Sequence, residues 1–229
     1  MRGLFVTATD TGVGKTVLSA TLLAAMVVAG EEVRAHKPVV TGLEEPPGAW
    51  PPDHELLATA AGMTPEDVAP LRYGPAVSPH LAAQLAGERI DPADLVARAQ
   101  KASNEETSLI VEGVGGLLVP LTDDYTVCDL AAELGLPVLI AARPGLGTIN
   151  HTLLTLKAAR AAGLDVRAVV LTPWPDDPSA LEFSNRETIA HMGNVQVEGL
   201  SRVRSLDAAD LVMAGAELPW RRWLERASA

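Results

Sequence analysis

At 229 residues, with 48% hydrophobic and 21% charged side chains, the chain has the size and composition of a folded globular protein, not of a disordered segment. A formal net charge of −11 speaks against general nucleic-acid binding, which needs basic surface, but leaves room for a locally positive nucleotide site. The single cysteine, Cys128, excludes an intrachain disulfide and fits a reducing, cytoplasmic setting, where it reads as a small buried hydrophobe.

In chain order, residues 3–7 read as a buried strand and residues 17–29 as an Ala/Leu-rich helix stopped by Gly30. Between them runs Thr9-Asp10-Thr11-Gly12-Val13-Gly14-Lys15-Thr16. Gly12 and Gly14 let the backbone approach polyanionic oxygens, and successive N–H groups can converge on them. Lys15 adds a mobile charge, Thr16 a hydroxyl for Mg²⁺, and the helix its positive dipole end. The strict phosphate-loop pattern wants glycine where Thr9 stands, so a literal motif search passes over this loop. Strand, loop, G-K-T and helix nevertheless follow in the order a nucleotide site needs. With this loop ahead of the first long apolar stretch, no secretory leader is expected, and residues 17–29 are too short to span a bilayer.

Residues 33–40 read as a second strand carrying Lys37, and the Pro-rich segment 44–52 as a surface loop within the domain. Residues 53–61 read as a helix with Asp53 near its start and Gly62 as its stop. Residues 80–86 and 92–102 look helical. Residues 108–112 form a nearly unbroken apolar run closed by Glu112 and followed by Gly113-Val114-Gly115-Gly116, the pattern of a buried strand delivering a carboxylate to its end. A helix at 127–134, a strand at 137–142, a helix at 148–162, a strand at 166–171 and a helix at 179–191 follow. A strand at 195–200 and a helix at 219–227 complete the alternation. The expectation is a single α/β domain over residues 1–229, a mostly parallel sheet flanked by helices on both faces with its ligand beyond the strands' carboxyl ends.

Only four lysines stand beside fourteen arginines, and two of them, Lys15 and Lys37, follow strands at that edge. On the residues alone, Lys37 reads equally as a solvated strand end or as an active cation. Thr16, Asp53 and Glu112 form a hard-oxygen set sufficient for Mg²⁺ with phosphate oxygens and water. Asp53 alone reads as a helix cap, while Glu112 has little structural excuse where it stands. Ser78-Pro79-His80 and the segment ending at His151 both read as helix caps, and His36 and His54 as structural or surface residues.

Taken together, Thr9 to Thr16, Lys37-Pro38-Val39 with Thr41-Gly42, Ser78-Pro79-His80, Val111 to Gly116, and Leu146-Gly147-Thr148-Ile149-Asn150-His151 resemble the dethiobiotin synthetase family over nearly the whole chain. Thr9 is that family's own variant of the loop; Ala8 replaces its usual preceding glycine. The resemblance implies a phosphate-loop NTPase fold and an ATP- and Mg²⁺-dependent enzyme of biotin synthesis. It would add CO₂ to 7,8-diaminopelargonate (7,8-diaminononanoate) as a carbamate, phosphorylate the carbamate, and close the cyclic urea as phosphate leaves. It implies Lys37 and Lys15 as catalytic cations, and Thr16, Asp53 and Glu112 as holders of Mg²⁺. Gly12, Val13, Gly14, Lys15, Thr16 and Val17, with Asp53 and the stretch Glu112, Gly113, Val114 and Gly115, would bind the nucleotide. Thr11, Thr41 and Pro79 would line the diamine or carbamate, and Leu146, Gly147 and Asn150 its carboxylate tail, at a homodimer interface. This recasts the second cap as an anion site.

Two departures concern the base. The family's usual Asn-Asp pair after the strand at 166–171 is Thr172-Pro173 here, and its usual proline near Leu200 is replaced by Ser201-Arg202, which opens the site to other nucleoside triphosphates. Two alternatives share parts of the pattern. A positioning ATPase of the ParA/MinD group carries an extra lysine where Asp10 stands. An amidoligase of the cobyrinate diamide synthase type needs a glutaminase domain or partner. No nucleic-acid or membrane partner is expected.

Overall fold

Apolar runs of five to nine residues alternate with helices in the computed structural model, which describes residues 1–46, 50–104 and 106–225. The first strand, β1 (Arg2–Ala8), leads through the glycine loop into α1 (Lys15–Val28). Then come β2 (Val33–His36), β3 (Val39–Val40), α2 (Asp53–Ala61), α3 (Pro65–Val68), β4 (Leu71–Arg72), α4 (Pro79–Leu85) and α5 (Pro92–Lys101). The second half holds β5 (Ser108–Glu112), α6 (Val127–Leu134), β6 (Val138–Ala142), α7 (Thr148–Ala161), β7 (Val166–Trp174), α8 (Ala180–Gly193), β8 (Gln196–Ser201), α9 (Ala208–Ala216) and α10 (Trp220–Leu224).

Six strands make one sheet in the order β2-β5-β1-β6-β7-β8, every pair parallel. Successive side chains of a strand point to opposite faces, and the two cores follow that alternation. Leu4, Val6, Ile110, Leu139 and Val170 face α1, α2, α9 and α10, where Trp220 and Trp223 are buried. Phe5, Leu109, Val111, Ile140 and Leu171 face the other layer, built from α4 to α8. Burial on both faces is why the strands read as continuous hydrophobic runs.

The expected strand at 33–40 is corrected. It breaks after His36, because Pro38 has no N–H to give the ladder. The Lys37 N–H instead donates to the Val68 carbonyl at 2.8 Å, and Val39–Val40 pairs with β4 in a separate two-stranded sheet. α3, β4 and α9 were not foreseen. β7 runs three residues beyond its expected end, through Trp174. Residues 47–49 of the 44–52 loop and residues 226–227 of the last expected helix lie outside the described residues.

Candidate active site

β1 lies between β5 and β6 at the centre of the sheet, so the loops leaving all three meet at one edge. Gly14, in the left-handed region at φ 101°, is the N-cap of α1, and Lys15 is its first helical residue. A side chain on Gly14 would meet the Thr172 methyl and hydroxyl at 2.9 Å, so the loop passes this close to β7 only as glycine. Asp10 accepts from the Thr11 N–H at 2.7 Å, and Arg143, just past β6, reaches the Thr11 and Gly12 carbonyls at 3.4 Å each.

Register explains the neighbouring charges. His36 lies beside Val111, so the next residues, Lys37 and Glu112, come level as β2 and β5 end. Glu112 is fully buried. Its Oε1 accepts from Lys37 Nζ at 2.5 Å and from Thr16 Oγ1 at 2.9 Å, while Oε2 is buried with no hydrogen-bond partner among the described residues. Lys37, 2% exposed, also pairs with half-exposed Asp53 at 2.7 Å. Burial pushes the Lys37 ammonium down, but Glu112 and Asp53 outweigh it and hold the amine above its ordinary range. For Asp53, burial works upward and Lys37 pulls the carboxyl below its usual range, helped by Thr16. Lys15 goes the other way: burial lowers its pKa, Glu112 offsets part of this, and Lys37 adds repulsion.

The open readings of single residues resolve here. Lys37 is no solvated strand end. Asp53 is not a cap, because Pro52 holds that position and the carboxylate turns to Lys37. Ser78 is the N-cap of α4 but makes no side-chain cap bond. At α7 the N-cap is Gly147, with His151 a turn inside the helix. His36 and His54 are both buried.

A cavity of about 430 Å³ covers this edge, lined by Thr11, Gly12, Gly14, Lys15, Thr16, Val17, Lys37, Thr41, Asp53, Val114 and Gly115. Trp50, Pro51 and Leu56 complete the wall. Nothing in the sequence marked these three, since a tryptophan in a proline-rich loop carries no chemical pattern of its own. Val13 is buried beneath the loop, and Gly113 donates its N–H to the Val6 carbonyl. A larger hollow, about 800 Å³, opens beside Arg2, Asn104 and Arg167 at the strands' opposite edge and contains none of the expected site residues.

The remaining expected residues are not brought into this cavity's wall. Thr172 is buried against the phosphate loop, and Pro173 is exposed. Ser201 donates to Glu217 at 2.9 Å, Arg202 is exposed, and Arg204 bridges to Asp176 at 3.1 Å, joining the segments after β8 and β7. Pro79 is buried in the first turn of α4. Leu146 is 92% exposed, and Gly147 and Asn150 are exposed beside it.

Oxygen donors suit a hard divalent cation that takes one or two carboxylates along with phosphate oxygens and water. Glu112, with the Thr16 hydroxyl on its Oε1 and its Oε2 left over, and Asp53, paired to the same lysine, meet that requirement. Among the described residues no cluster of three or more His, Cys, Asp or Glu side chains could hold a metal alone, so phosphate oxygens would have to complete the shell.

A family profile described as an AAA domain matches residues 2–209. An ATP-dependent dethiobiotin synthetase of Anaeromyxobacter dehalogenans is 46% identical over 78% of this chain and 81% of its own. One from Bacillus subtilis is 35% identical over 88% and 87%. Among solved structures, MinD in a MinC:MinD complex from Aquifex aeolicus superposes with a TM-score of 0.56, covering 100% of this chain and 98% of that one at 13% identity. Apo McdA from Cyanothece gives 0.55 at 12% identity over 97% and 95%. At these identities the likeness to the structural neighbours is one of fold. Sequence identity across most of both chains, with the ordered motifs at one sheet edge, makes this chain a member of the dethiobiotin synthetase family.

Proposed function

We propose that this chain, as a single unit over residues 1–229, is an ATP-dependent dethiobiotin synthetase that converts 7,8-diaminononanoate and CO₂ into the cyclic urea. The observation that carries this reading is the buried Lys37, held between Glu112 and Asp53 beside the phosphate loop. One amine attacks CO₂ and forms a carbamate. A carbamate oxygen then attacks the γ-phosphorus of ATP, releasing ADP and leaving a carbamic–phosphoric anhydride. The second amine attacks its carbonyl carbon, the bond to the phosphate oxygen breaks, and inorganic phosphate departs. Carbamate, transferring phosphoryl and tetrahedral intermediate are all anionic, so fixed cations at Lys15 and Lys37 favour them in a partly dehydrated site. The Thr11 and Thr41 hydroxyls at the cavity wall orient the carbamate, and buried Pro79 supports the substrate side. Closure against water protects the anhydride until the internal amine attacks.

Thr16, Asp53 and Glu112 would hold Mg²⁺, which when bound would supply positive charge against the charge developing on the transferring phosphoryl group. Gly12, Val13, Gly14, Val17, Gly113, Val114 and Gly115 would cradle the rest of the polyphosphate and ribose. The base would lie between the segments containing Thr172-Pro173 and Ser201-Arg202. Pro173 offers no N–H and Thr172 packs against Gly14, which supports use of nucleoside triphosphates besides ATP.

The diamine's carboxylate tail would reach Leu146, Gly147 and Asn150 of a second copy across a homodimer interface. A leucine 92% exposed beside the first turn of α7, and a separate exposed pair, Leu118 at 64% and Leu154 at 58%, sharing a groove with Thr11, support such a partner. The cytoplasm supplies the reducing conditions that a free Cys128 fits. The test supplies ¹³C-bicarbonate, Mg²⁺, the diamine and ATP, CTP or GTP in parallel. Dethiobiotin heavier by one mass unit supports the reading; no product with any of the three overturns it.

A further inference from the structure

The turn from β6 into α7, Pro144-Gly145-Leu146-Gly147, has little side-chain packing of its own. Among the described residues no atom lies within 4 Å of a Cβ built at Gly145, and Leu146 is 92% exposed. Among the described residues, the side-chain hydrogen bonds to this turn come from one source. Asn185 of α8, 4% exposed, donates from Nδ2 to the Pro144 carbonyl at 2.8 Å and to the Gly145 carbonyl at 3.2 Å. Both partners are acceptors, so the amide nitrogen with its two hydrogens must face them. The Gly145 carbonyl also accepts from the Thr148 N–H at 3.2 Å, so the Asn185 amide and the first turn of α7 share one acceptor.

We propose that Asn185 is a positioning residue for the substrate's carboxylate tail: it sets the turn that aims the first N–H groups of α7, and it touches no reacting atom. This rests on the reaction proposed above. A glycine- and proline-containing turn pinned at one point loses its aim when the pin is removed, while the phosphate loop and the Lys37 cluster keep theirs. The effect therefore belongs to KM for the diamine, not to kcat or to KM for ATP.

The test is steady-state kinetics of Asn185→Leu, near in volume but without donors, using the natural diamine and a vicinal diamine lacking the carboxylate. The expected result is a KM for the natural diamine raised about tenfold or more. KM for ATP stays unchanged and kcat stays within about twofold, with no difference between variant and wild type on the tailless diamine. Unchanged KM, a parallel loss in kcat, or an equal loss on the tailless diamine overturns the inference. If Asn185→Leu does not fold, Asn185→Ala, which removes both donors along with the side chain's bulk, is read by the same pattern, and an unshifted KM rejects the role. Failure of the wild type to make dethiobiotin would instead overturn the reaction itself.

Discussion

Lys37 is the residue on which the chemistry and the stability of the site meet. Its ammonium is buried between two carboxylates, so removing it leaves Glu112 charged, desolvated and unpaired. Breaking one side of a buried pair costs about 3–5 kcal/mol, far more than the pair itself contributes against an apolar replacement. Lys37→Met is therefore expected to lose turnover by about a thousandfold or more and also to melt at lower temperature. In the double variant Lys37→Met/Glu112→Gln, most of the melting temperature returns while activity stays lost. Calorimetry beside a phosphate-release assay separates the two effects. A double variant as unstable as the single one would show that Glu112 is not the group left stranded.

At the scale of elements, the end of β2 sets where Lys37 stands, and His36 immediately precedes it. Burial, with Arg98 adding to it, depresses the His36 pKa from 6.5 to about 4. Between those values the unfolded chain takes up a proton that the folded chain refuses, so stability falls as pH drops through that window and levels off below it. His36→Leu is expected to flatten the melting temperature against pH between about 6.5 and about 4; an unchanged slope rejects the assignment. α9 is a short, apolar helix whose Gly215 lies so close to α1 that an added Cβ would sit 2.0 Å from the Thr21 carbonyl. Gly215→Ala is expected to lower stability by about 1–3 kcal/mol through forced separation of the two helices, read from urea unfolding, although alanine raises helix propensity.

These cases mark how much could be read before the structure. The phosphate loop and Glu112 at a strand end were legible because each breaks a local pattern of burial or backbone geometry, whereas Asp53 alone read as a helix cap, a position that Pro52 holds. The break at Lys37-Pro38 was hidden by the apolar residues on either side of it. Trp50, Arg143 and Asn185 carry no spacing signal, because their partners lie on elements distant in sequence.

For the whole molecule, the order β2-β5-β1-β6-β7-β8 gathers the loops after β2, β5, β1 and β6 at one rim, and exposed Leu118 and Leu154 line a groove there beside Thr9, Asp10 and Thr11. A dimer closing over that surface is expected in light scattering, at twice the 24.0 kDa chain mass. Leu154→Glu is expected to give a monomer with a raised KM for the diamine, whereas a fully active monomeric wild type would reject a shared site. The central claim is that one nucleotide is spent for each ring closed. Its most direct test is a single-turnover reaction of purified protein with Mg²⁺, ATP, bicarbonate and the diamine, quantifying phosphate and dethiobiotin together. Equimolar release of the two is the predicted result. Phosphate released without dethiobiotin, at a rate indifferent to the diamine, would make this chain an ATPase of another kind and contradict the account.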